Sequence, residues 1–257
     1  MIDLWLDTGT AGILLIPFIV LYAIAAAIVW LTHLSPARTF FASCIGIAGP
    51  FFVSVAVLFS LFAVFLASEV WRQAERAQTA VAEEADGIRT ILRLAETAGA
   101  AARPLRSAVV AYTNSVLTDE WVAMREGAMA SQSLGAIRAL AQAIVAPEIV
   151  AATPITVHQA MVDAFVDIRH ARMEREAVTA RHGASLNWLG MIVLGVLTQV
   201  AVAVVHLDRL RPQALALFVF TTAFAATVAL IGLHERPFSH LTIDDAPLRA
   251  AVSAESP

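Results

Sequence analysis

Between Pro50 and Ala98 the chain carries side chains whose types and spacing bear directly on chemistry. Bulky Leu58, Phe62 and Phe65, followed by Glu69 and Arg72, share one side of a helical pattern. The small residues Ala56, Ser60, Ala63, Ala67, Ala74 and Ala77 lie about half a turn away. In lipid, a small face lets helix backbones approach closely. The bulky face then meets lipid, another helix or a pore. Farther along, Val70, Ala74, Ala77, Val81, Ile88, Ile91 and Ala95 form an apolar seam at the heptad spacing of packed helices. Glu84 falls where that seam calls for an apolar residue. A buried carboxylate is costly unless paired, so Glu84 needs an arginine, a tyrosine or water. The alternative is a slight rotation of the helix that puts Ala85 in the seam.

Elsewhere, reactive groups do not assemble into a recognisable constellation. The sequence has no glycine-rich phosphate loop, paired-histidine zinc motif or nucleophile elbow. His158 and His170 share a predicted helix but stand 12 residues apart, too far to ligate one metal. His240 with Asp244 and Asp245 offers either a cation site or, as the commoner meaning, an exposed acidic tail. Cys44 is the only cysteine, which excludes an internal disulfide and a cysteine-rich metal site. Thr198, Gln199, Thr221, Thr222 and Thr227 are polar without being ionisable, and interhelical hydrogen bonds account for them. No apolar run holds the ionisable residue of a proton or substrate relay, which argues against a pump or coupled transporter. The expectation is a protein that is no enzyme and uses neither cofactor nor metal. A formal charge of -4 gives no sign of nucleic-acid binding.

The elements that position these residues follow from hydropathy. Of 257 residues, 59% are hydrophobic, and mean hydropathy is +0.73, beyond the range of an ordinary soluble domain. Four uncharged runs account for it: Ala11–Leu31, Pro50–Ala67, Leu186–Val205 and Gln213–Leu233. Each is close to the roughly 20 residues that cross a bilayer. Asp3 and Asp7 stand where a cleavable signal would be positive, so the first span is expected to be retained. All 17 basic residues are arginine, a compositional feature rather than a mechanistic one. Arginines near span ends number eight on the side of the termini (Arg72, Arg76, Arg169, Arg172, Arg175, Arg181, Arg236, Arg249) and three on the other (Arg38, Arg209, Arg211). The positive-inside rule therefore puts the middle region and both termini in the cytoplasm.

The expected organisation is an all-α integral membrane protein with four parts: spans one and two over 1–67, a helical cytoplasmic region over 68–185, spans three and four over 186–239, and a polar tail over 240–257. Gly49-Pro50 suits the start of a rod that runs from the second span into water, since proline at the first helical position forfeits no hydrogen bond. Arg103-Pro104 opens the next helix, ending near Gly127, with a stripe of Leu105, Val109, Tyr112 and Val116 to pack on the rod. Ser131 to Val145 reads as a third helix with a serine cap. Thr153-Pro154 opens a fourth, which has Val157, Met161, Ala164, Phe165 and Ile168 on one face and leads through Gly183 into the third span. Beyond Pro237, which interrupts any helix, the tail past Leu248 is expected to be disordered.

Several local motifs, in order, resemble the bacterial bestrophin-like family of membrane proteins, distant relatives of the bestrophin anion channels. They are Trp71 with Glu84-Ala85, Leu105-Arg106 to Tyr112, Asp119-Glu120-Trp121, Arg169 to Arg175, Leu186-Asn187-Trp188 and Glu235-Arg236-Pro237-Phe238-Ser239. The resemblance covers roughly Pro50 to Ser239; Val122 and His240 depart from the expected proline and glycine. It implies that copies of the second span surround a central pore, with long helices forming a vestibule. Leu58, Phe62 and Phe65 then become the candidate constriction, with Glu69 at its inner mouth and the register open to include Leu61 or Phe59. Four spans are too few to enclose a pore and its lining, so a homo-oligomer in the lipid bilayer that passes inorganic ions is implied. The competing expectation is a non-conducting scaffold or sensor acting through its helical region.

Overall fold

The computed structural model describes residues 2–36, 49–125, 134–180, 185–239 and 243–253, most of them in helices joined by short turns, with no strand among them. In chain order the first helices are α1 (Ile2–Leu6), α2 (Gly9–His33), α3 (Gly49–Ala95), α4 (Arg103–Ser115) and α5 (Trp121–Arg125). They are followed by α6 (Leu134–Ile144), α7 (Pro147–Ala152), α8 (Ile155–Ala180), α9 (Ser185–Val205), α10 (Leu210–Glu235) and α11 (Ala246–Ser253). A 3-10 turn (Glu96–Ala102) precedes α4, and a π turn (Val116–Glu120) joins α4 to α5. Two compact units result: Met1–Trp71 with Gly183–Glu235, and Arg72–His182 with Arg236–Pro257.

The first unit holds the apolar helices. Among the described residues four helices are long and apolar enough to cross a membrane. Helix α2 packs along α10, and α9 packs against both. Small residues make this possible, because backbones and rings can then approach closely. The Phe224 ring lies where a side chain on Gly195 would sit, the Phe62 ring lies on Gly190, and Trp5 lies on Gly232. Polar side chains tie the helices together: Gln199 Nε2 donates to Thr221 Oγ1 at 2.9 Å, and the Tyr22 and Thr222 hydroxyls meet at 2.6 Å. Gln213 donates to the Ala203 carbonyl at 2.9 Å and meets His33 Nε2 at 2.7 Å. Thr198 and Thr227 differ from the interhelical expectation. Each donates to a carbonyl four residues back in its own helix, Leu194 and Ala223, the usual outlet for a threonine hydroxyl inside a helix.

In the second unit the seam residues Ala77, Val81, Ile88, Ile91 and Ala95 are buried in one apolar cluster with Leu105, Val109, Tyr112 and Val116. Gly87 does not break α3. A β-carbon there would stand 2.6 Å from Ile168 Cγ1 and 3.0 Å from the Ala164 carbonyl, so its bareness is what lets α3 and α8 touch. The helix stops at Ala95, and Gly99, at φ 55°, takes the left-handed conformation that glycine adopts without a steric penalty.

Two expectations change. Helix α7 precedes α8, and Thr153 donates to the Ile149 carbonyl at 2.7 Å, closing α7 rather than capping α8. The chain past Leu248 is helical over α11, because Leu248 and Ala251 fall on one face and bury in the core. Asp245, near that helix's start, pairs with Arg249 at 2.6 Å. The expected serine cap at Ser131, Gly127, Gly183 and His240 lie outside the described residues.

Candidate functional site

Helix α3 presents two surfaces of interest, one in each unit. In the first unit, Ala63, Leu66 and Val70 are buried against the chain's own helices. Leu58 and Phe65 lie on the opposite side, 56% and 69% exposed, with Val57, Leu61 and Val64 beside them. Phe62 is turned partly inward, half-buried on Gly190, and Phe59 packs edge-on to Phe224 at 5.1 Å. The bulky stripe is thus divided: Leu58 and Phe65 are open and Phe62 is shared with the interior. Glu69 is half-buried. The second span is also the least covered by its own chain. Only 17% of its most apolar stretch is buried, against 22%, 39% and 39% in the other three.

In the second unit α3 contributes Glu84, which is fully buried, as is Ala85 beside it. Tyr112 Oη donates to Glu84 Oε1 at 2.5 Å. Arg175, from α8, donates through Nε to Glu84 Oε2 at 2.9 Å and through Nη2 to Oε1 at 3.1 Å. The same Nη2 reaches Glu120 Oε2 at 2.7 Å, and Arg172 Nε donates to Glu120 Oε1 at 2.9 Å. Arg172 Nη2 then pairs with Glu176 at 2.7 Å. The outcome is an alternating chain, Tyr112–Glu84–Arg175–Glu120–Arg172–Glu176, binding α3, α4, the π turn and α8.

The charges in this chain set each other. Burial alone would lower the Arg175 pKa, but Glu84 and Glu120 outweigh it and hold the guanidinium charged. Burial pushes the Tyr112 hydroxyl well above its ordinary value, and the neighbouring Glu84 carboxylate pushes it further, so it remains a donor. Burial also raises Glu176, at the chain's solvent end, with Arg172 opposing. Each charged member of the series faces an opposite charge, so the arrangement fixes helix register. Among the described residues no cluster of histidine, cysteine and carboxylates suits a metal.

The sequence pattern holds a trace of these partners. Extending the apolar face of Met161, Ala164 and Ile168 by one heptad from Ile168 arrives at Arg175. An arginine at a core position is the counterpart of a glutamate at a seam position. Glu120 gives no such sign, because the π turn adds a residue to the helical repeat and rotates it inward.

A family model described as the Bestrophin-like domain matches residues 19–241. The chain belongs to the Bestrophin-like family. With four apolar helices of spanning length, this bestrophin-like chain is a multi-pass membrane protein. Its fold is similar to a crystal structure of a bacterial bestrophin homologue from Klebsiella pneumoniae carrying a point substitution, at 14% identity and TM-score 0.68, covering 94% of this chain and 95% of that one. A second solved structure, described as a membrane protein, matches at 12% identity and TM-score 0.67, with 94% and 95% covered. No curated protein matches the sequence. Two stretches that carry the resemblance to the family meet in space. Trp121, from Asp119-Glu120-Trp121, stands edge-on to Phe238, from Glu235-Arg236-Pro237-Phe238-Ser239, at 5.5 Å and 84°. Ser239 Oγ donates to the Arg125 carbonyl at 2.8 Å.

Proposed function

We propose that this protein is a homo-oligomeric ion channel whose pore is lined by the second span. The observation that carries the reading is the open face of α3, where Leu58 and Phe65 stand largely uncovered on the span least covered by its own chain. A bulky apolar side chain repeated around a shared axis makes a constriction that gates by dewetting. Leu58 and Phe65 would narrow the passage, Phe62 would brace it from one side, and Glu69 would stand at its mouth. Four spans do not enclose a pore and its lining, so several copies are required. The relation to bestrophin channels supports inorganic ions as the cargo and favours anions, whereas Glu69 favours cations. The arginine balance supports an inner-membrane protein with the second unit and both termini in the cytoplasm.

The unbroken 47-residue helix α3 also favours a second reading, a non-conducting scaffold or sensor that transmits membrane state along one rod. Purified protein in liposomes separates the two. Ion flux that changes when Phe65→Ala or Leu58→Ala is introduced supports the channel. A well-folded oligomer that passes neither anions nor cations under an imposed gradient refutes it and leaves the scaffold.

A further inference from the structure

We propose that the first unit holds one membrane glycerolipid in a slot beside α2, its fatty-ester carbonyl accepting a hydrogen bond from a buried tryptophan; the site is independent of whether the chain conducts ions. A cavity of about 290 Å³ lies between α1, α2, α9 and α10, close to the roughly 300 Å³ at which small-molecule sites begin. Apart from Trp5 and Trp188 its lining is aliphatic. Trp188 and Val228 are buried at its back, whereas Val20 is 48% exposed and Ile16 and Ile24 are half-buried along its rim. The slot therefore opens away from the chain's own helices. From Ile16 to Ile24 the helix rises about 12 Å, most of the roughly 15 Å that one leaflet's hydrocarbon occupies. Its length suits an acyl chain running along α2.

The two tryptophans stand at one end of the slot, where α2 and α9 begin. Their rings meet edge-on at 5.4 Å and 81°. Here two spans enter the bilayer, the level at which amphipathic indoles settle. Both indole nitrogens are buried, yet neither N–H has an acceptor among the described residues. A buried donor without a partner is costly, so something from outside the chain is called for. Water is a poor answer, because a buried water is held by about three hydrogen bonds. In this slot it would meet two donors and an aliphatic wall, with no acceptor for its own hydrogens. An acceptor carried on an apolar body meets both needs. No charged side chain lines the slot, which selects a neutral carbonyl over a phosphate. In a glycerolipid the ester carbonyl stands at the head of the acyl chain, as the indoles stand at the head of the slot.

The test uses the full-length protein in phosphatidylcholine nanodiscs containing a small share of phosphatidylcholine with a diazirine on one chain. That probe is made in two forms, ester-linked and ether-linked, the second lacking the carbonyl. After illumination, mass spectrometry maps the label. The ester probe is expected to concentrate on residues 16–24 and on Ile192, about fivefold above the ether probe, the effect of one neutral hydrogen bond. Val20→Trp, on the rim, fills the slot and removes that label. Trp5→Phe with Trp188→Phe keeps aromatic rings but no N–H, and brings the ester probe down to the level of the ether probe. A melting temperature close to wild type shows that each variant is folded, and the comparison of the two probes on wild type needs no variant at all. Equal labelling by the two probes on wild type overturns the proposal, as does label spread evenly over the exposed faces of all four spans.

Discussion

Arg175 grips Glu84 by both carboxylate oxygens, at 2.9 and 3.1 Å, where neither side chain is reached by solvent. A bidentate guanidinium–carboxylate pair is among the stronger hydrogen-bonded arrangements, yet burying two charges has a desolvation cost of similar size. What the pair secures most firmly is geometry, since any other register of α3 against α8 would leave one of the charges alone in the apolar core.

Removing one partner is therefore expected to do more harm than removing both. Arg175→Met strands Glu84 and loosens Glu120, at a cost of about 3–5 kcal/mol. Adding Glu84→Leu to that variant is expected to recover part of the loss, whereas Arg175→Lys alone stays destabilised because an ammonium cannot reproduce the fork. Apparent melting temperatures of the four proteins in one detergent decide it; equal melting for Arg175→Met and wild type would remove the network from any structural role.

Glu176 supplies a pH dependence with a definite sign. Burial raises its pKa above the ordinary 4.5, so the folded protein binds this proton more tightly than the unfolded chain. Its contribution to stability is thus fullest at acid pH and is lost as pH rises from the unfolded value through the folded one. Glu176→Gln removes that step. The melting temperature of the variant relative to wild type should climb as pH is raised through this window. A difference independent of pH would show that Glu176 has the same pKa folded and unfolded.

Gly87 reports on how tightly α3 and α8 approach. Gly87→Val forces a branched side chain into Ile168 and the Ala164 carbonyl. Overpacking of this kind costs about 1–3 kcal/mol. Ala82, one and a half turns earlier and exposed, is the control, since valine there meets solvent.

Leu248 tests the terminal helix. Leu248→Ala should lower stability by about 2–5 kcal/mol, the usual cost of emptying a fully buried leucine site. Protease resistance of the last residues would fall with it. A change within error would mean that α11 contributes nothing to the core.

The two phenylalanines of the second span are expected to behave differently. Phe62→Ala empties the space over Gly190 and should first appear as a lower melting temperature. Phe65→Ala, on the open face, should leave melting nearly unchanged and alter ion flux instead. Identical effects of both variants on flux and on melting would refute this division of roles.

The four spans were legible in the sequence because the test is local: an uncharged run either reaches across the hydrocarbon layer or does not. The seam of α3 was legible for the same reason, and with it Glu84 as a carboxylate in an apolar row. Helical periodicity also marked the stripe of Leu58, Phe62 and Phe65. It did not say that Phe62 leans on Gly190, because that depends on a helix more than a hundred residues farther along. Nor did it reveal that the tail folds back, since one leucine and one valine among alanines are a weak signal until a core is there to receive them.

Sequence by itself determined which residues share a face, as the 3.6-residue repeat is a property of the backbone and needs no neighbour. Only the tertiary structure decided what each face meets. Glu84 is answered by Tyr112, 28 positions away, and by Arg175, 91 positions away. Those partners are selected by how helices cross and where a π turn rotates Glu120, and such choices minimise the energy of the whole core rather than of any one segment.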